Sequence, residues 1–275
     1  MQIIRISILF LFTLSAHSSP ANFYANPELQ LKYPNAFATQ LSAIPFHKYL
    51  EESVQSERYE LIQAITEDFQ LHHDILAFET LSLENQVKVL ERLFQIECDV
   101  LSIVPPTLII DETSIPGYAF FEFDYLEGGS GKVFINKKKL KEEKNKSEFI
   151  ILLLHETRHS AQFQLSQTQT QDIISKGYEA SFKTQKELKT LQVKISFCDF
   201  MLLINEFEAF QFANYIYGSL TNWQDPITSM GTLGSQYSNS GELRLNLLEI
   251  LNQTNIDPVV LFNQLEIAQY KVMYH

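Results

Sequence analysis

Cysteine, glycine, proline and basic side chains are all scarce in this 275-residue chain, and each shortage removes a class of protein. Two cysteines, Cys98 and Cys198, cannot make the dense framework of a small secreted scaffold, and neither belongs to a Cys-x-x-Cys pair of the kind that holds zinc. Nine glycines and nine prolines, without internal repeats or low-complexity tracts, exclude fibrous and solenoid architectures. Lys and Arg number 21 against 33 Asp and Glu, and the net charge of −12 lacks the basic footprint of a nucleic-acid binder. The one basic cluster, Lys137-Lys138-Lys139-Leu140-Lys141, runs into Glu142-Glu143-Lys144 and reads as a solvated connection. No apolar run reaches the ~20 residues that cross a bilayer, so no integral membrane segment is expected once a leader is removed. What remains, 45% hydrophobic and 12% aromatic residues, is enough for one sizeable core.

The first residues read as a leader. Arg5 precedes the apolar run Ile8-Leu9-Phe10-Leu11-Phe12, and the small residues Ser15-Ala16-His17-Ser18-Ser19 follow. A signal peptide over residues 1–18 and an exported, periplasmic or secreted, mature domain over residues 19–275 are expected; an uncleaved anchor is the alternative. In an oxidising compartment the two cysteines could form one disulfide, and two buried free thiols are the competing expectation.

Residues 45–98 have helical texture: Tyr49, Val54, Leu61, Ile62, Ile65 and Phe69 recur at helical spacing, and Ser82 opens a run with Val87, Leu90, Leu93, Phe94 and Ile96. His47, two residues after a proline, and His72-His73 are expected at the surface. Residues 105–136 change character. Thr107 to Ile110, Gly117 to Tyr125 and Lys132 to Asn136 are aromatic and β-branched and bounded by glycine, which predicts three short strands, the last two a hairpin across Glu127 to Gly131. A helix is expected over residues 147–165 from Ser147, and helices again over residues 171–275: Glu179 to Leu191, one long helix from Val193 to Tyr217, and two closing helices from near Ser240 and from Asp257-Pro258. The fold class is therefore α+β, predominantly helical with a small antiparallel or mixed sheet.

The helix over residues 147–165 carries the chemistry. Six apolar residues, Phe149 to Leu154, lead straight into His155-Glu156-Thr157-Arg158-His159. Residues four apart on a helix share a face, so both imidazoles can reach one ion, and Glu156 sits one position round, where it can take a proton from water instead of binding the metal. A core helix whose histidines merely bond to their neighbours is the plain alternative. Catalytic zinc takes three protein ligands, and no histidine lies between His159 and His275, so the third should be a carboxylate.

The chain here resembles zincin metallopeptidases of the gluzincin type. The strands before the metal helix, His155-Glu156-x-x-His159, and Glu206-Phe207-Glu208-Ala209 carry the likeness, the last being similar to the Glu-x-x-Ala segment of small ImmA/IrrE-like and CAAX-prenyl-protease-type peptidases. The resemblance spans roughly residues 105–215 and implies a zincin-like fold, one zinc on His155, His159 and Glu206, Glu156 as general base, and a peptide or protein as substrate. It also implies Asp or Asn four residues after the glutamate, where this chain has Phe210. Strand Lys132 to Asn136 is the expected edge for an extended peptide, Arg158 is expected to orient a neighbour or form a salt bridge rather than act on substrate, and Tyr215, Tyr217 and Tyr237 are available as oxyanion donors.

Two rivals to Glu206 are weighed by their helical neighbours. Glu179, twenty residues after His159 as in thermolysin-type enzymes, has Lys176 and Lys183 beside it and reads as solvated; Glu208 has Asn205 and Gln211. Glu206 has Leu202, Leu203, Ala209 and Phe210, a stripe on which an ionised carboxylate needs a partner. A zincin fold used for binding or assembly, with a non-catalytic metal, is the functional alternative.

Overall fold

The computed structural model describes residues 23–168, 172–224, 237–238, 240–253 and 255–274, so the expected leader over residues 1–18 and most of the stretch from Gly231 to Gly241 lie outside the described residues. The architecture is α+β, with helices predominating over one three-stranded mixed sheet. Among the described residues no helix is long and apolar enough to cross a membrane.

Helix α1 (Pro27–Lys32) starts at Asn26, whose Oδ1 accepts from the Glu28 and Leu29 amides. After it, α2 (Ile44–Tyr49), a π turn (Leu50–Val54) and α3 (Gln55–Glu67) run on as one rod, followed by α4 (Phe69–Leu76) and α5 (Leu83–Val100). Asp68 and Ser82 cap the last two. Most of the expected stripes are buried, Val54, Leu61 and Ile65 on the first rod and Leu90, Leu93, Phe94 and Ile96 on α5, while Tyr49, Ile62 and Val87 are half-buried. Phe69 departs from its stripe and is 84% exposed, because Asp68 (φ −83°, ψ 82°) stops α3 and restarts the helical phase. His47 also corrects the sequence reading. It is buried, with Nε2 2.8 Å from the Ala38 carbonyl and its ring edge-on to Phe46 and Phe207, and burial pulls its pKa down. His73 is exposed as expected, and His72 is half-buried.

Strands β1 (Thr107–Asp111), β2 (Ala119–Glu122) and β3 (Lys132–Asn136) form the sheet in the order β1-β3-β2. β3 pairs parallel with β1, Ile109 opposite Phe134, and antiparallel with β2, Phe120 opposite Phe134. β3 is thus central, and the expectation that it is an edge strand is wrong; β1 and β2 are the edges. Gly131 just before β3 has φ +78°, and a Cβ there would meet the Glu122 carbonyl oxygen at 2.6 Å, so this hairpin turn requires glycine. The basic connection is a short helix, α6 (Lys137–Glu142), held by the Asn136 cap and by Leu140, which is buried.

Helix α7 (Glu148–Ser166) is the centre of the molecule and is buried over most of its circumference. Ser147 does not cap it through its side chain: its amide and hydroxyl bond Glu79 Oε1 at 2.7 and 2.8 Å. Packed on α7 are α5, β2, β3, α8 (Ile173–Thr190) and α10 (Ile204–Leu220), the last after a short α9 (Phe197–Met201). One long helix from Val193 is therefore not formed. Leu203 is extended (ψ 134°) because the chain there pairs with the N-terminal segment, Ala38 N to Leu202 O at 2.8 Å and Ile204 N to Ala36 O at 2.9 Å. That pairing sets where α10 begins, and it places Glu206 in its first turn, where the helix dipole favours an anion. The closing helices are α11 (Leu247–Leu251), starting seven residues later than Ser240, and α12 (Pro258–Tyr274), capped by Asp257 as expected.

The two cysteines are buried free thiols, Cys98 on α5 and Cys198 at the start of α9, so the expected disulfide is not formed. Burial pushes the Cys98 thiol up to about 12 and raises that of Cys198 as well.

Candidate metal centre

The apolar run that begins α7 anchors it so firmly that the next turn is buried too. Phe149, Ile150, Leu153 and Leu154 are fully covered, and removing such side chains from water contributes about 1.5–3 kcal/mol each. His155 and His159, one turn apart, are then carried into the interior at 3% and 4% exposure. Opposite them α10 presents Glu206, 4% exposed, with Oε2 at 3.2 Å from His155 Nε2 and 3.3 Å from His159 Nε2. The three side chains offer ligand atoms that all lie within 4.8 Å of one another, and this buried group could hold a metal ion. Two imidazole nitrogens and a carboxylate oxygen are the donor set that suits zinc and neighbouring first-row ions.

Each donor's surroundings differ. His159 Nδ1 lies 2.8 Å from Gln162 Oε1, and Glu206 Oε1 accepts from Gln185 Nε2, which leaves Oε2 alone facing the imidazoles. His155 Nδ1 is buried and has no hydrogen-bond partner among the described residues. The Phe210 ring lies against it, centroids 3.9 Å apart, so the position where the resemblance implied Asp or Asn covers the imidazole but offers it no acceptor. Phe121 and Phe182 flank His159 at 6.2 and 6.0 Å.

The electrostatics follow from burial and from these pairs. Burial, then the neighbouring His159 charge, lower His155 to about 4. For His159 burial acts in the same direction but the Glu206 carboxylate outweighs it and raises the value to about 9. Burial opposes ionisation of Glu206, yet the imidazolium and the two imidazole bonds hold its carboxyl far below the usual range. The metal-free cluster is one imidazolium facing one carboxylate, beside a neutral imidazole. Glu156 is 9% exposed, and burial lifts its carboxyl to about 8 while it accepts from the Phe121 amide of β2.

The rivals lie elsewhere. Glu179 pairs with Lys183 on a partly exposed face. Glu208, which the sequence sets beside Asn205 and Gln211, is fully buried and held by Arg158, whose Nε donates to both its oxygens at 2.8 and 3.1 Å. Arg158 is the salt-bridging residue expected; its Nη1 also meets Glu57 at 2.6 Å, and Phe212 lies under its guanidinium at 4.6 Å. Tyr215 and Tyr237 pack on each other and on Trp223. Sequence reasoning missed Gln162 and Gln185. Gln162 follows His159 by three residues and was visible as a helical neighbour, whereas nothing marks Gln185 before α8 and α10 meet. No protein family, curated protein or solved structure matches the chain.

Proposed function

We propose that the chain is an exported zinc-dependent peptidase of zincin type, with His155, His159 and Glu206 as ligands and Glu156 as general base. The observation that carries the reading is the convergence of an ionised Glu206 with both histidines of a His-Glu-x-x-His turn inside the core, where an unpaired carboxylate is costly. Zinc bound there would polarise a scissile carbonyl and bring the pKa of a bound water down to about 7.

The chain's own residues do the rest. A divalent charge beside Glu156 favours its ionised form, and the carboxylate takes the proton of the attacking water and passes it to the amine nitrogen of the departing peptide. Because the Phe121 amide bonds Glu156, it faces away from β3, and the Ala119 amide two residues earlier faces the same way. The free edge of β2, in place of β3, is thus the side along which an extended peptide can pair.

One observation favours a metal that is held without catalysis: Glu156 is nearly as enclosed as the ligands. Peptide hydrolysis separates the two readings. The purified chain loaded with zinc should cleave an unstructured protein, and Glu156→Gln should bind zinc but not cleave; zinc uptake without cleavage by the wild type supports the binding role.

A further inference from the structure

Among the described residues only His159 of the two imidazoles has its second nitrogen partnered, and the partner's orientation is determined from behind. Gln162 Nε2 lies 2.9 Å from the Asn205 carbonyl and against Glu208 Oε2. Both Glu208 oxygens already accept from Arg158 Nε, so carbonyl and carboxylate alike have no hydrogen to give. Turning the Gln162 amide over would set its oxygen against two acceptors inside the core, where an unmade bond costs about 1–3 kcal/mol. Oε1 is therefore the atom that faces His159 Nδ1 at 2.8 Å. That oxygen only accepts, so Nδ1 carries a hydrogen, and the lone pair the ring can offer a cation is the one on Nε2, the nitrogen directed at Glu206.

We propose that Gln162 is a positioning residue that fixes His159 as an Nε2 donor to the cation, its own amide being set by Glu208 and Arg158. Arg158 is in turn clamped by the half-buried Glu57 of α3 and by Phe212, so the sense of the chain runs from the buried ion pair between α7 and α10 to one metal ligand. His155 has no such partner, and His159 is the nitrogen donor with a fixed orientation. The inference deepens the proposed metal site and rests on it only for the effect on zinc affinity.

Two measurements on the full chain test it. Nitrogen-15 correlation spectra of the histidine rings should show zinc on His159 Nε2 with a slowly exchanging proton on Nδ1, and an Nδ1 proton in metal-free protein across the pH range over which the fold holds. Zinc on Nδ1, or a metal-free ring with no proton on Nδ1, overturns the assignment. Chelator competition with zinc should then show Gln162→Leu, close to glutamine in volume, binding about 10–100-fold more weakly. Gln162→Glu combined with Glu208→Gln keeps the cluster's charge and an acceptor facing His159, and should recover most of that loss. Equal affinity in wild type and Gln162→Leu overturns the proposal, because a residue that only fills space predicts that result. If Gln162→Leu does not fold, as judged by far-ultraviolet circular dichroism, the ring spectra of the wild type decide alone. Failure of the wild type to take up zinc would refute the metal reading, and the metal-free spectrum would still decide whether His159 Nδ1 carries a proton.

Discussion

Zinc uptake should release protons in a pattern that identifies the groups around the site. The metal-free cluster contains one proton that a cation must displace, on His159, because burial alone would have removed it but Glu206 raises the value to about 9. His155, lowered to about 4 mainly by burial, is already free to bind at neutral pH. Between those limits each unit of falling pH makes the displaced proton tenfold harder to remove, about 1.4 kcal/mol, so the zinc dissociation constant should rise roughly 100-fold from about pH 8 to about pH 6. Glu156 adds to this. Burial holds its carboxyl neutral below about 8, and an adjacent cation drives it to ionise, so the wild type should release more than one proton per zinc over the same interval. Glu156→Gln removes that second source and should return the slope to one at about pH 6, below the pKa of about 7 expected of a zinc-bound water. Competition titrations against a chelator of known protonation constants, run on both forms, read the slopes directly. At about pH 6, a slope of zero in Glu156→Gln would refute a protonated His159, and a slope of two would refute a neutral His155.

Three further outcomes follow from named contacts. Glu206→Ala should weaken zinc binding by more than the roughly 10–100-fold that loss of an outer partner costs, while Glu179→Ala, which removes only the pair with Lys183, leaves affinity at the wild-type level; the reverse result would move the third ligand to Glu179. Arg158→Met leaves Glu208 buried and unpaired and should destabilise the fold by about 3–5 kcal/mol in urea titrations, so a loss below about 1 kcal/mol would show that the ion pair does not hold α7 to α10. Cys98 and Cys198 should resist alkylation in native protein and take up two labels after unfolding without reductant, and mass spectrometry showing a linked pair would contradict two free thiols.

The parts of the molecule that were legible in advance are those set by local spacing. His155 and His159 meet because four residues make about one turn, and Glu206 stood out because Ala209 and Phe210 offer a carboxylate no partner on its own helix, although Leu202 and Leu203, counted with them in the sequence, lie before that helix begins. Asp257 and Ser82 cap helices for equally local reasons. What spacing could not show are pairings between distant segments. β3 is central because β1, more than 20 residues earlier, pairs with it in parallel, and α10 begins at Ile204 because Ala36 and Ala38 bond the residues on either side of Leu203. His47 is buried for a similar reason, since its acceptor is the Ala38 carbonyl of that same N-terminal segment. The glutamines Gln162 and Gln185 escaped notice because an amide has no charge, and its role is defined only by which acceptors surround it.

The central claim is that Glu156 does chemistry at a metal held by its neighbours, and one comparison tests it most directly. Wild-type protein and Glu156→Gln, each with zinc content measured, are assayed side by side for cleavage of an unstructured protein substrate. The account predicts about one zinc per chain in both and cleavage by the wild type alone. Cleavage by zinc-free wild type, or undiminished cleavage by Glu156→Gln, would contradict it.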